Sequence, residues 1–271
     1  MATFARFSFP LFVPGNRPER YAKATAAGTD LVIVDLEDAV AADDKDAARE
    51  ALVSALPRPG SGVPVFVRIN GIGTPWYAAD LAAVANLEIA GLVLPKAEDA
   101  AALDGVRAAL PAGTGLIALV ETAAGVANAR EVARHSDRIA FGSIDLAADL
   151  GCAHAREPLL SARSEMVLAA RLAGQAGPID GVTTSISDPA LTESDAAYGA
   201  GLGFTGKLLI HPSQLRPARR GYAPDADLVE WARRVVAAAT DGTARSVDGQ
   251  MVDAPVLARA RDVLARIEAL R

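Results

Sequence analysis

The sequence contains a single cysteine, Cys152, among its 271 residues. One chain can therefore build neither a disulfide framework nor a thiolate metal cluster, and this cysteine usage fits a reduced, cytoplasmic setting. Long apolar runs are also missing, because no segment approaches the ~20 apolar residues of a membrane span. The apolar stretch within MATFARFSFPLFVPG is too short and too proline-broken for a signal peptide. We therefore expect a soluble protein.

The sequence also has no excess of positively charged residues. The formal net charge is -6, which argues against a nucleic-acid partner because phosphate binding needs a basic face. An acidic substrate would need locally placed arginines. No Gly-x-Gly-x-x-Gly motif follows the first apolar run, which weakens a dinucleotide-binding hypothesis.

What the sequence does have is a regular alternation of apolar runs and Ala/Leu-rich segments of helical composition. The eight runs are FSFPLFV (from Phe7), DLVIVDLE (from Asp30), PVFVRIN (from Pro64), GLVLPK (from Gly91), GLIALVET (from Gly115), RIAFGSID (from Arg138), IDGVTTSI (from Ile179) and GFTGKLLIH (from Gly203). Strands of this kind between helices predict a parallel sheet covered on its outside. Eight units predict a TIM barrel, an α/β fold, over residues 1–221; an open doubly wound sheet is the structural alternative.

The strand pattern stops before residue 222, and residues 222–271 are predicted to form a C-terminal helical extension. Two helical segments, DADLVEWARRVVAAAT and PVLARARDVLARIEALR, flank a polar, glycine-containing stretch that begins at Asp241. Such an extension could pack as a clamp, act as a lid over the barrel mouth, or reach a neighbouring subunit.

Polar side chains collect at the ends of the predicted strands, where the active sites of TIM barrels lie. They are Asp35, Glu37, Asp38, Arg68, Asn70, Lys96, Glu121, Thr122, Ser143 and Asp145. An aspartate before a helix is more often an N-cap than a ligand. Glu121 and Asp145, however, end adjacent strands and could share one Mg²⁺ completed by water and substrate oxygens. No histidine lies in either segment, which disfavours zinc.

Two basic side chains at these strand ends have alternative explanations. Arg68 follows Val, Phe and Val in its strand, where a buried charge needs a counter-ion. Its planar fork suits a substrate carboxylate, and a buried ion pair with Glu37 or Asp38 is the alternative. Lys96 either neutralises the acidic cluster or pairs with Glu98.

Several motifs together resemble the citrate lyase β-subunit-like branch of the HpcH/HpaI aldolases, which includes malyl-CoA and citramalyl-CoA lyases. They are LFVPGNRPERYAKA, VDLEDAV, VRINGIGTPWYAADL, GLVLPKAED, ETAAGVANA, FGSIDLAADLG, GFTGKLLIHPSQL and DGQMVDAPVLARA, in the order of this family. The resemblance implies a TIM barrel with a C-terminal helical segment, assembled as a trimer or a hexamer. It implies Mg²⁺-dependent carbon–carbon cleavage, or the reverse, between a CoA thioester and an oxo acid such as glyoxylate, pyruvate or oxaloacetate.

The resemblance also implies roles for individual residues. Glu121 and Asp145 match the metal carboxylates, and Arg68 matches the arginine that holds the oxo-acid carboxylate. Arg17, Arg20 and Lys23 in the VPGNRPER block are candidates for the CoA phosphates. Asp253 matches an aspartate that a neighbouring subunit supplies for proton transfer, and Glu37 and Asp38 match an acidic pair near the metal. Free-acid aldolases of the superfamily carry a histidine at the position of Asp38, so this chain resembles the thioester branch.

The sequence departs from the family pattern at Ile144, where the block usually has a glutamate before the metal aspartate. We expect retained activity, because Glu121, Asp145, Arg68 and Asp253 are all present. Two alternatives remain. One is the β subunit of a citrate lyase that receives its acyl group on an acyl carrier protein, and the other is a CoA-binding barrel without catalytic activity.

Overall fold

A computed structural model describes residues 8–57, 62–238, 245–247 and 250–270 of the chain. Eight parallel strands form one sheet, and each strand pairs with the next in chain order. They are β1 (Leu11–Pro14), β2 (Val32–Asp35), β3 (Val65–Arg68), β4 (Gly91–Leu94), β5 (Gly115–Val120), β6 (Arg138–Phe141), β7 (Ile179–Asp180) and β8 (Gly206–Lys207). Parallel bridges Ser8–Gly206 and Leu11–Leu209 join the first strand region to the last. The predicted barrel is confirmed, and the open sheet is not what forms.

The strands are apolar on both faces because each face is buried against a different layer. Along β2, Ile33 points into the barrel, where it packs in a cluster with Phe66 and Ile117. Its neighbours Val32 and Val34 belong to the larger outer cluster beneath the helices. Side chains that alternate along a strand therefore fill two separate cores.

The last two strands are shorter than their apolar runs suggest. The residue after β7, Gly181, donates its N–H to Asp180 Oδ1 at 2.9 Å. Its carbonyl accepts from Lys207 Nζ at 2.6 Å. Because side chains occupy both backbone groups of Gly181, the β7 ladder ends there.

Helices follow the strands as the sequence predicts, and several of them begin with a side-chain cap. The helices are α1 (Tyr21–Thr25), α2 (Lys45–Ala55), α3 (Tyr77–Ala85), α4 (Ala100–Ala109), α5 (Ala123–Ala127), α6 (Ala129–Arg134), α7 (Ser143–Asp149), α8 (Leu160–Leu172), α9 (Pro189–Leu202), α10 (Leu215–Tyr222), α11 (Ala226–Ala238) and α12 (Ala254–Ala269), with short 3-10 turns at Pro18–Arg20, Ala42–Asp44 and Pro212–Gln214. Asp99, Thr122 and Asp188 accept backbone N–H groups at the starts of α4, α5 and α9. These caps satisfy amides that have no partner within the helix.

The C-terminal part has the two predicted helices, α11 and α12, and a feature that the sequence did not suggest. Strands β9 (Arg245–Val247) and β10 (Gln250–Val252) pair as an antiparallel ribbon in the stretch expected to be a polar loop. Its first residues, 241–244, and residues 248–249 lie outside the described residues. Met251 is exposed and Val252 is buried. Successive side chains of a strand point to opposite faces, so this alternation indicates that one face of the ribbon is covered.

Val252 packs with Ala232, Val235, Ala260 and Val263 in a small core of its own between α11 and α12. The predicted division after residue 221 stays a prediction. Among the described residues, no helix combines the length and the apolar character that crossing a bilayer requires.

Candidate active site

A cavity of about 390 Å³ opens at the carboxyl ends of the barrel strands. Charged side chains line one part of it, and apolar side chains from β1, β5, β6 and the segments after β7 and β8 line the other. The charged residues are Asp35, Asp38, Arg68, Glu121 and Asp145. The structure therefore brings together in one cavity four of the residues proposed from sequence, and adds Asp35.

Arg68 is the last residue of β3, and in the sheet register it stands beside Asp35, the last residue of β2. Its Nη2 lies 2.6 Å from Asp35 Oδ2 and its Nε lies 2.7 Å from Oδ1, which is a bidentate pair. The remaining nitrogen, Nη1, is 3.2 Å from Asp38 Oδ2 and 3.1 Å from Glu37 Oε2. Arg68 is buried, and these carboxylates more than offset the burial, so they raise its pKa.

The ion-pair alternative is therefore the arrangement that the structure shows, but the main partner of Arg68 is Asp35 rather than Glu37 or Asp38. Sequence reasoning missed this partner. The available signal was that Asp35 and Arg68 each close an apolar run on adjacent parallel strands. Asp35 also accepts N–H groups of Glu37 and Ala39 at 2.9 and 3.1 Å, so it shapes the loop after β2.

Glu121 ends β5 and is almost completely buried. Its Oε1 accepts the backbone N–H of Lys96 at 2.9 Å. Burial, together with the neighbouring carboxylates of Glu37 and Asp145 and against the opposing effect of Arg68, raises the pKa of Glu121 to about 8. The folded protein therefore holds this carboxyl in a position where its charge is poorly compensated.

Lys96 supports this carboxylate from an unusual backbone conformation. Its φ of 48° makes it the one non-glycine residue with positive φ in the part of the chain that the structure describes. Its Nζ lies 2.8 Å from Glu37 Oε1 and 4.0 Å from Glu121 Oε1. Lys96 therefore partly neutralises the acidic cluster, which is the first of the two alternatives considered from the sequence.

Asp145 lies in the first turn of α7, inside the helix rather than at its N-cap. The N-cap is Gly142, and it makes no side-chain capping bond. A Cβ at Gly142 would lie 2.4 Å from Glu121 Oε2. The glycine therefore leaves the space beside this carboxylate oxygen open.

The donor set and the charge of the cavity fit a magnesium ion. Five carboxylates, those of Asp35, Glu37, Asp38, Glu121 and Asp145, are set against the two cations Arg68 and Lys96. Within the described ranges, no group of three or more His, Cys, Asp or Glu is arranged to hold a metal. The chain would thus supply Glu121 and Asp145, and Mg²⁺ commonly binds one or two carboxylates while keeping several waters.

A neighbouring cavity of about 390 Å³ is lined by Arg20 and Lys23. It shares Phe12, Pro14 and Ile210 with the first cavity, so the two adjoin. The third CoA candidate, Arg17, does not line it; its Nε lies 3.6 Å from Glu19 Oε1, and both side chains are exposed.

Comparison with known proteins agrees with this geometry. Residues 8–212 match the HpcH/HpaI aldolase/citrate lyase family. The chain belongs to this family. A citrate lyase subunit beta-like protein from Mycobacterium tuberculosis is 40% identical over 94% of each chain. A (3S)-malyl-CoA thioesterase from Cereibacter sphaeroides is 35% identical over 97% of this chain and 95% of its own.

The barrel also superimposes on a crystal structure of CitE from M. tuberculosis in complex with magnesium, acetoacetate and coenzyme A. The TM-score is 0.85 at 39% identity, with 97% of this chain and 98% of CitE covered. These similarities confirm the resemblance found in the motifs, the barrel fold and the prediction of a lyase.

Ile144, which departs from the family pattern, and Asp253, which matches it, are placed differently relative to the cavity. Ile144 lines it and is 42% exposed, so an aliphatic side chain stands next to Asp145. Asp253 is the N-cap of α12 and accepts the N–H of Val256 at 3.0 Å. It is exposed and does not line the cavity of its own chain. Its role in a neighbouring subunit stays a prediction.

Proposed function

We propose that this protein is a Mg²⁺-dependent carbon–carbon lyase that acts on a 3-hydroxyacyl-CoA thioester such as malyl-CoA or citramalyl-CoA. The products are acetyl-CoA and an oxo acid, and the same site can run the reverse condensation. The observation that carries the proposal is the meeting of Glu121, Asp145 and Arg68 in one cavity, beside a second cavity lined by Arg20 and Lys23.

Glu121 and Asp145 are the proposed metal ligands. CitE structures from M. tuberculosis contain magnesium with acetoacetate, pyruvate or acetate, and another contains oxaloacetate and magnesium. Bound Mg²⁺ supplies a Lewis acid for the carbonyl oxygen of an oxo acid. Glu121 must lose its proton to serve as a ligand, and its raised pKa makes this loss dependent on pH.

Arg68 is proposed to hold the carboxylate of the oxo acid through Nη1. Asp35 occupies the other side of the guanidinium, which fixes its plane. Asp38, which contacts Nη1, has a side chain that is 57% exposed and is free to turn toward solvent. A substrate carboxylate would then replace Asp38 at Arg68, and Glu37, anchored by Lys96, would stay in place.

Arg20 and Lys23 are proposed to bind the phosphates of CoA, with Arg17 nearby on the same turn. Asp253 from a neighbouring subunit is proposed to remove a proton from the thioester methyl in the condensation direction, and to return it during cleavage. This assignment requires an oligomer, and we propose a homotrimer or a hexamer. The exposure of Asp253 within one chain supports a role outside that chain.

The test is product analysis with the purified chain, Mg²⁺ and free malyl-CoA or citramalyl-CoA. Acetyl-CoA with glyoxylate or pyruvate supports the proposal. A second candidate is thioester hydrolysis, favoured by the similarity to the malyl-CoA thioesterase; free CoA and malate would then appear. Turnover that requires an acyl carrier protein would instead identify a citrate lyase β subunit, like the relative from Leuconostoc mesenteroides that is 36% identical.

A further inference from the structure

A smaller polar cavity of about 190 Å³ lies beside the candidate active site. Val182 lines both cavities, so the two adjoin. The smaller cavity is bounded by the ends of β7 and β8 and by α8 and α9, and the proposed lyase chemistry uses none of its charged side chains.

The buried part of this cavity has more positive than negative charge. Arg163 and Lys207 are 8% and 2% exposed, and the buried carboxylate facing them is Asp180. Arg163 Nε lies 3.2 Å from Asp180 Oδ1. Lys207 Nζ donates to the neutral carbonyl of Gly181 at 2.6 Å. At the rim, Arg156 and Asp195 pair at 2.9 Å and add no net charge.

Among the described residues that line the cavity, Asp180 is the one buried carboxylate, so it does not balance both buried cations. Burial lowers the pKa of His154, which also lines the cavity, so its ring stays neutral and adds no charge. Burial likewise lowers the pKa of Lys207; Asp180 and Asp195 oppose this shift, whereas Arg163 and Arg156 add to it. A buried cation without a counter-ion is costly to the folded state.

The excess charge coincides with a missing hydrogen-bond acceptor. Arg163 Nη1 is buried and has no hydrogen-bond partner among the described residues. Packing holds the guanidinium in place, because its Cζ lies 4.9 Å from the centroid of the Phe141 ring. A fixed, buried N–H group that lacks an acceptor loses the hydrogen bond it would make in water.

We propose that this cavity binds a small oxyanion, which accepts from Arg163 Nη1 and Lys207 Nζ and is reached by Arg156 at the rim. Guanidinium and ammonium groups together match the oxygens of a carboxylate or a phosphate. The volume excludes a ligand of the size of CoA but holds an anion of a few atoms. The anion would link α8 to the two shortest strands of the barrel, and the site does not depend on the proposed lyase activity.

The test uses the metal-free full chain titrated with inorganic phosphate, sulfate or acetate at constant ionic strength. Calorimetry is expected to show saturable binding at one site, and the melting temperature should rise with the concentration of the preferred ion. Phosphate and acetate as separate arms decide between a tetrahedral oxyanion and a carboxylate. If no ion binds saturably, the cavity holds water only and the proposal is wrong.

Variants locate the site. Arg156→Gln, at the exposed rim, should weaken binding by about tenfold or more, because a hydrogen bond to a charged group is lost. Arg163→Met should abolish binding of the anion. If Arg163→Met does not fold, the affinity of Arg156→Gln still decides whether the anion binds in this cavity. Arg130→Gln is the matched control, since it breaks a surface pair with Glu165 away from the cavity. Unchanged binding in Arg156→Gln, or loss of binding in Arg20→Gln instead, would place the ion elsewhere and overturn the proposal.

Discussion

Removal of the Arg68 guanidinium tests how the candidate active site is held together. Arg68→Met keeps most of the aliphatic length but leaves the Asp35 carboxylate, 1% exposed, without its counter-ion. Removing one partner of a buried ion pair costs about 3–5 kcal/mol. The Arg68 pair is bidentate at 2.6 and 2.7 Å, so we expect a loss in this range. The free energy of unfolding would be measured by urea titration followed by circular dichroism.

The surface pair between Arg130 and Glu165 is a matched control. It has similar geometry, with Nε–Oε1 and Nη2–Oε2 distances of 2.7 and 3.2 Å, but the arginine side chain is 52% exposed. Solvent screens exposed pairs, so Arg130→Met should cost much less stability than Arg68→Met.

A double-mutant cycle isolates the interaction between the two buried partners. Asp35→Asn combined with Arg68→Met should cost less than the sum of the single changes, because the neutral amide does not need a cation. If Arg68→Met destabilises the protein no more than Arg130→Met does, then burial does not strengthen this pair and the reasoning is refuted.

Four further predictions concern ligands and subunits. Glu121→Ala and Asp145→Ala should each greatly weaken Mg²⁺ binding in calorimetry, because each removes half of the protein's ligands; wild-type affinity in either variant would contradict the assignment. In the metal-free protein the pKa of Glu121 is about 8, above its ordinary value of 4.5, so the folded state binds more protons than the unfolded chain between these values. The free energy of unfolding should therefore fall as pH rises through this window, and Glu121→Gln should flatten the fall; an unchanged profile would show that Glu121 does not titrate there. Arg20→Ala and Lys23→Ala should raise the KM for the thioester and leave Mg²⁺ affinity unchanged, whereas an unchanged KM would place the CoA phosphates elsewhere. Asp253→Asn should reduce turnover by ~10²–10⁴-fold, and mixing it with inactive Asp145→Ala after subunit exchange should restore some activity; no recovery despite exchange would exclude action across an interface.

The barrel was predictable from sequence because its signal is repeated. Each apolar run is buried on both faces, so the strand pattern does not depend on any one residue. Where a pattern depends on local hydrogen bonds, prediction was less accurate. The run that begins at Ile179 yields a strand of two residues, because Asp180 and Lys207 take the backbone groups of Gly181. The C-terminal ribbon was missed because each of its strands is only three residues long, too short for a periodic pattern.

The sequence predicted which residues converge at the candidate site, but not which side chain pairs with Arg68. Strand ends in a barrel meet at one rim, so Glu121, Asp145 and Arg68 were expected to converge. The partner of Arg68 depends on the register between β2 and β3, which places Asp35 directly beside it. The positive φ of Lys96 depends on the tertiary contact between its backbone N–H and Glu121. The ends of the two apolar runs hinted at the first feature, whereas composition and spacing carry no information on the second.

The charge of the site favours ligand binding over stability. Both carboxylate oxygens of Asp35 accept hydrogen bonds from Arg68. Oε2 of the buried Glu37 has no hydrogen bond in the described structure, although it lies 3.1 Å from Arg68 Nη1. Glu121 is buried with a raised pKa. A site optimised for stability alone would pair or replace these carboxylates, since uncompensated buried charge destabilises the folded state. Under the proposed function, a divalent cation would relieve the repulsion, and the oxo-acid carboxylate would replace Asp38 at the one guanidinium nitrogen that Asp35 leaves accessible. In this proposal, the carboxylates that lower the stability of the fold are the groups that would give it affinity for a metal and its substrate together.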